Sequence, residues 1–284
     1  MLPFWISIAC LSAVQGALVA VPGRLGRARL RFVGGRRWAL IPPLSVVAFV
    51  FITRAAEHSS AQGLTYLALV AVPPLAALAL GWLAYGARPL WALTAIPLFA
   101  LAWADRGGLA GEAAALLLSG LSCVSLGVLL AALTPPRWLA AGIIAMAIAD
   151  TWLVVSDLLQ RPNDTLNAAH PAAGLPRLQS AVFGSAVMGY GDLFVAATLG
   201  ALLAVEVGRA VQLRAAVLTA ALAMALDALF FAVDELPATV PVALALIFVL
   251  VMRRRGAARW GGARRARPVA PRLRRREPPR RLAR

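Results

Sequence analysis

The chain is expected to fold as an all-α, polytopic membrane bundle of about nine transmembrane helices. Three observations carry this expectation. The sequence of 284 residues is 61% hydrophobic with a mean hydropathy of +0.79. Apolar runs of about 20 residues, the length that crosses a bilayer core, recur along it. Its charge is concentrated between the runs and at one terminus, since 14 of its 28 basic residues, all arginine, fall in 253–284.

Taken in order, the runs are 2–21, 38–53, 63–86, 90–104, 113–133, 138–159, 181–205, 213–233 and 237–252. The first has no charge before it and reads as a span, not a cleaved signal peptide. Prolines at Pro42–Pro43, Pro73–Pro74 and Pro97 predict kinks. The division is into spans 1–5 (residues 1–137), spans 6–9 (138–252) and an Arg-rich tail (253–284).

Arginine placement orients the bundle, because positive charge stays on the cytoplasmic side. Arg24, Arg27, Arg29, Arg31, Arg36 and Arg37 follow the first run, which puts that loop inside and the N-terminus outside. Alternation then leaves 24 arginines inside and four outside (Arg54, Arg106, Arg161 and Arg177), with a cytoplasmic C-terminus. The protein is expected in a prokaryotic cell membrane. Its tail mixes arginine with proline, glycine and alanine and holds one aromatic, Trp260, which suits a disordered arm on anionic lipid headgroups and not a nucleic-acid site.

Cys10 and Cys123 lie in apolar runs, so neither a disulfide framework nor a metal site is expected. The loop 160–180 is rich in proline and asparagine and reads as irregular, with His170 a solvated residue lacking a partner.

The chemistry is expected at the buried acids. Met188-Gly189-Tyr190-Gly191-Asp192 places a carboxylate inside an apolar run, where ionised groups are costly and usually functional. The glycines remove side chains beside it and allow a second backbone to approach. Asp150 lies 12 residues, or roughly 18 Å, from Trp138 at the inner face. Asp192 lies 11 residues, or roughly 16 Å, from Ala181 at the outer face. On antiparallel neighbours in a core about 30 Å thick, both acids are expected near mid-depth and side by side.

Two such carboxylates share a proton, so one can deprotonate a water while the other protonates a carbonyl oxygen. The same acids, if separate, could instead line a proton or cation path in a transporter, or sit in a silent scaffold. Near them, Pro237-Ala238-Thr239-Val240-Pro241 has two prolines four apart, which hold the chain extended and free its carbonyls. A helix start with a first-turn proline is the plainer alternative.

Gly189-Tyr190-Gly191-Asp192 resembles the GxGD motif of the presenilin and signal peptide peptidase family of intramembrane aspartyl proteases. Asp150 matches that family's first aspartate on the preceding span, and Pro237-Ala238-Thr239 resembles its Pro-Ala-Leu motif. The likeness covers 138–252 in order and spacing, with two departures: Ala149 where the family has Tyr or Phe, and Thr239 where it has Leu. The resemblance implies hydrolysis of peptide bonds in transmembrane segments by Asp150 and Asp192, without metal or cofactor. Gly189, Tyr190 and Gly191 then support the site, and Pro237, Ala238 and Thr239 contact substrate. The orientation is similar to the signal peptide peptidase branch, whose substrates enter with a cytoplasmic N-terminus.

Prepilin peptidases share the GxGD aspartate, and the stretch Asp157–Asn167 faintly resembles theirs. That family, however, places further crossings between its aspartates and a lysine where this chain has Phe194. Of the remaining acids, Asp157, seven residues on, is expected on the same helix face as Asp150 about 10 Å further out at the water boundary, Asp227 paired or interfacial, and Asp234 and Glu235 solvated. Tyr190 is open between a hydrogen bond near the dyad and packing.

Overall fold

The computed structural model describes residues 2–25, 34–55, 57–169, 171, 174–231, 233 and 236–265, with the side-chain surroundings of 55–60 and 256–265 left aside. Expectations for His170, Asp234, Glu235, Arg27, Arg29, Arg31 and the tail beyond 265 fall outside these residues. Contacts divide the chain into a first unit, Met1–Ile247, and a second, Phe248–Arg284, whose described part is helical.

Ten α-helices and one two-stranded hairpin make up the described chain: α1 (Phe4–Ala20), α2 (Ile41–Ala55), α3 (Glu57–Leu78), α4 (Ala95–Ala104), α5 (Leu109–Leu133), α6 (Pro136–Val155), α7 (Gln160–Ala168), β1 (Ser180–Phe183), β2 (Ala186–Gly189), α8 (Tyr190–Glu206), α9 (Arg209–Asp227) and α10 (Val240–Arg265). The fold is therefore predominantly α-helical. Among the described residues, five helices are long and apolar enough to cross a membrane, centred on α2, α3, α5, α6 and α9, and two shorter apolar helices include α1 and α4. That content is compatible with a membrane protein.

The helices start where the backbone can spare its donors. Pro136 occupies the first position of α6, where an N–H has no intrahelical partner. The expected kinks at Pro42–Pro43 and Pro97 are not interior features for the same reason, since those prolines lie in the first turns of α2 and α4. Pro73 and Pro74 do lie inside α3, which passes through them and ends in a π-helical turn at Ala79–Leu83. Ser125 of α5 donates to the Leu75 carbonyl at 2.6 Å, satisfying backbone ahead of that switch.

Burial identifies the centre. Most of α5 is inside the protein, as is the unbroken stretch Leu193–Ala204 of α8. These two helices pack together, with α3 and α4 also against α5, and with α1 against α8 and α9. The outward faces carry exposed Phe51, Val70, Leu90, Ile96 and Phe231. Water tolerates such a surface poorly, whereas lipid suits it.

The two ends of the bundle are tied differently. At one end, Gly23 N–H donates to Leu83 O and Tyr85 N–H to Val21 O, both at 2.8 Å. Gln212, fully buried, donates from Nε2 to the carbonyls of Val19, Pro22 and Gly200 at 3.0, 2.9 and 3.2 Å. Arg24 and Arg209 cap the Ala204 and Ala20 carbonyls, and Arg209 also lies over the Tyr85 ring. At the other end, Ser185 N–H donates to Ser7 Oγ and Gly184 N–H to Glu112, joining the hairpin to α1 and α5.

Candidate active site

The expected single span 181–205 is two elements. Residues 180–189 form an antiparallel hairpin in register Ser180↔Gly189 through Phe183↔Ala186, and the helix begins only at Tyr190. Hydropathy does not separate them, because a hairpin packed against α5 and α1 is as apolar as a helix of the same length. The usable signal was the Gly184-Ser185 pair between two apolar stretches, a two-residue hairpin turn. Gly184 has φ +62°, the left-handed region open to glycine, and a Cβ there would strike Ser7.

This shifts the acids along their helices. Asp192 is the third residue of α8, not one eleven residues into a span. Asp150 lies five residues, about 7 Å, before the end of α6. The two helices α6 and α8 pack together, and the two acids face the same cavity. Asp150 lies in the last third of α6 and Asp192 in the first turn of α8, directly after the hairpin, and not at the helix midpoints.

Each carboxyl group is held by the protein through Oδ2. The Gly189 N–H donates to Asp192 Oδ2 at 3.2 Å, so the acid closes the first turn of its own helix from the third position. Thr239 Oγ1 donates to Asp150 Oδ2 at 2.6 Å, with the Thr239 N–H a longer second donor at 3.5 Å. Asp150 is 5% exposed, Asp192 half-buried.

Both acids line one cavity of about 1100 Å³. Its walls are apolar where α3 and α5 contribute Leu64, Leu67, Leu75, Leu126 and Leu130. Its polar rim comes from Asn163, Asp164 and Asn167 of α7 and from Gln179 and Ser180. The loop 160–180 is thus partly ordered: α7 packs on α2 and α3, and its last turn is held by Gln179 and Arg177 side chains on backbone carbonyls.

The sequence-derived residues fall as follows. Pro237 and Ala238 line the cavity beside the dyad, whereas Thr239 is fully buried with its hydroxyl turned to Asp150. Gly191 lies against Met146, and Gly189 lines the cavity at the end of β2. Tyr190 both bonds and packs, its hydroxyl 2.7 Å from Ser122 Oγ and its ring on the Val72–Leu118 cluster. Asp157 does not extend the Asp150 helix, because α6 ends at Val155 and Asp157 sits in the following turn at φ 52°. Asp227 is paired: it accepts from Ser12 Oγ at 2.6 Å and lines the same cavity.

Residues the sequence did not flag are Ser12 and Gln15 of α1, which face the site across more than two hundred positions of chain and have no motif around them. Among the described residues, no group of three His, Cys, Asp or Glu side chains is placed to hold a metal ion. No family model, curated protein or solved structure matches the chain.

Proposed function

We propose that the protein is an intramembrane aspartyl protease that hydrolyses peptide bonds in transmembrane segments. The observation that carries this reading is the pair itself: Asp150 and Asp192 arrive from packed helices at one apolar-walled cavity, each held by a protein donor. In the reaction, water attacks the peptide carbonyl carbon. One carboxylate takes the water proton, and the protonated partner gives its proton to the carbonyl oxygen, forming a gem-diol. Collapse then breaks the C–N bond as a proton passes to the leaving nitrogen.

A peptide bond inside an intact helix is closed to such attack, so the substrate must be extended at the cut. All four residues of β2 line the cavity, and β2 runs directly into Gly189 and Asp192. Its edge away from β1 suits pairing with an unwound substrate segment, and the polar rim at α7 admits water. The extended edge expected at Pro237–Pro241 is better supplied by β2, since Val240 N–H already closes a turn onto Pro237 O.

For the membrane arrangement we adopt nine crossings, with α1 to α6 and α8 to α10 spanning and the N-terminus outside. The end-to-end contacts support it. The end of α1, the end of α3 and the α8–α9 junction meet at the arginine-bearing end, while the N-terminus meets the hairpin at the other. Arg37 over Trp38 and Arg137 over Trp138 are cation–ring pairs of the kind that suits an inner membrane boundary. Tail arginines then face anionic headgroups.

The test is cleavage of a helical transmembrane peptide by purified protein in proteoliposomes. Asp150→Asn and Asp192→Asn should each reduce turnover by at least about 10²-fold with melting behaviour unchanged. Residual turnover near wild type in either folded variant refutes the dyad. A wild type that cuts nothing but carries a proton-driven flux supports the transporter reading instead.

A further inference from the structure

The Ala238–Thr239 peptide group is gripped from both sides. Its carbonyl, on Ala238, accepts from Gln15 Nε2 at 2.6 Å. Its N–H, on Thr239, points to Asp150 Oδ2 at 3.5 Å, beside the much shorter hydroxyl bond at 2.6 Å. A peptide group is planar, so fixing its carbonyl fixes its N–H and the Cα that carries the threonine side chain. Thr239 is fully buried and stands behind the cavity lining, which separates it from groups that receive substrate; Gln15, also buried, stands at the cavity wall.

The terminal torsion of an aspartate is soft and roughly two-fold, so a free carboxyl group presents its oxygens over a wide arc. A hydroxyl at 2.6 Å narrows that arc by occupying Oδ2. Leucine, which the resembled family carries at this position, has no hydroxyl to give.

On the protease reading of the dyad, on which this rests, we propose that Thr239 is a positioning residue, held by Gln15 through the shared peptide plane. It engages Asp150 Oδ2 so that Oδ1 is the oxygen that takes the proton from the attacking water. Helix α1 thereby belongs to the catalytic apparatus, although the motifs lie in α6, α8 and the α10 entry.

The experiment is steady-state cleavage of the helical peptide by wild type, Thr239→Val, Thr239→Ser and Gln15→Met, with thermal unfolding of each. Valine keeps the shape of threonine without the hydroxyl, so kcat should fall about 10- to 100-fold with KM within about twofold. Serine restores the hydroxyl and should recover kcat to within about threefold of wild type. Gln15→Met should lower kcat in the same sense by a smaller factor. Should Thr239→Val not fold, Thr239→Ala makes the same comparison without a methyl in the place of the hydroxyl. A folded Thr239→Val or Thr239→Ala with wild-type kcat overturns the inference, as does a loss that serine fails to recover. A wild type that cuts nothing strikes the protease reading itself, whereas a wild type that cuts as fast as its valine variant strikes only this inference.

Discussion

Gly127→Ala tests whether the α5–α8 contact sets the position of Asp192. Gly127 faces α8 with no side chain between the backbones. A Cβ there would lie 2.8 Å from Thr198 N, 2.9 Å from the Ala197 carbonyl carbon and 3.1 Å from its oxygen, where ordinary contact begins at 3.4 Å. These are backbone atoms of a buried helix and cannot swing aside, so α8 must retreat by about 0.6 Å. Overpacking of this kind costs about 1–3 kcal/mol. The helix preference of alanine over glycine returns about 1 kcal/mol. The net loss is up to about 2 kcal/mol, a melting temperature lower by up to about 6 °C. Asp192 lies six residues, about 9 Å, along α8 from Thr198, so it moves with the displaced helix. A misplacement of 1 Å costs on the order of 10²-fold in rate, so about tenfold is expected here. Gly63→Ala is the control. That exposed glycine inside α3 has nothing within 4 Å of a built Cβ, and its replacement should leave cleavage unchanged and stability equal or slightly higher. Thermal unfolding and peptide cleavage of both variants decide the matter. A Gly127→Ala protein that melts and cuts like wild type, or a Gly63→Ala protein damaged as severely, refutes the reasoning.

Two further expectations concern the hairpin and the orientation. Glu112→Ala removes the carboxylate that accepts the Gly184 N–H at 2.7 Å, a charge-assisted bond worth about 1.5–3 kcal/mol locally. Hydrogen exchange across 184–189 should quicken and kcat/KM should fall, and unchanged exchange would show that α5 does not hold the turn. With the native cysteines replaced, an impermeant maleimide on intact cells should label exposed Ser185→Cys and spare exposed Arg88→Cys. The reverse pattern inverts the proposed orientation.

What the amino-acid order determined by itself is the predominantly helical character and most of the long helices, though not α7, which lies in a loop read as irregular. Each of the nine apolar runs contains an α-helix, with 181–205 also holding the hairpin, since a long apolar stretch buries its backbone polarity by bonding it within the chain. Asp150 and Asp192 were legible as acids inside apolar runs, but counting from Ala181 misplaced Asp192 along its helix, because residues 180–189 form the hairpin. The hairpin itself was hidden in that apolar run. Hydropathy measures how much surface is buried and not the backbone period that buries it, and only Gly184-Ser185 hinted at a turn. Tertiary structure alone decided the partners of the acids. Thr239 reaches Asp150 across 89 positions, Gln15 reaches Ala238 across 223, and Ser12 reaches Asp227 across 215. A buried hydroxyl or amide carries no local signal of which distant carboxylate or carbonyl it will meet, since that depends on how α1, α6, α9 and the α10 entry pack.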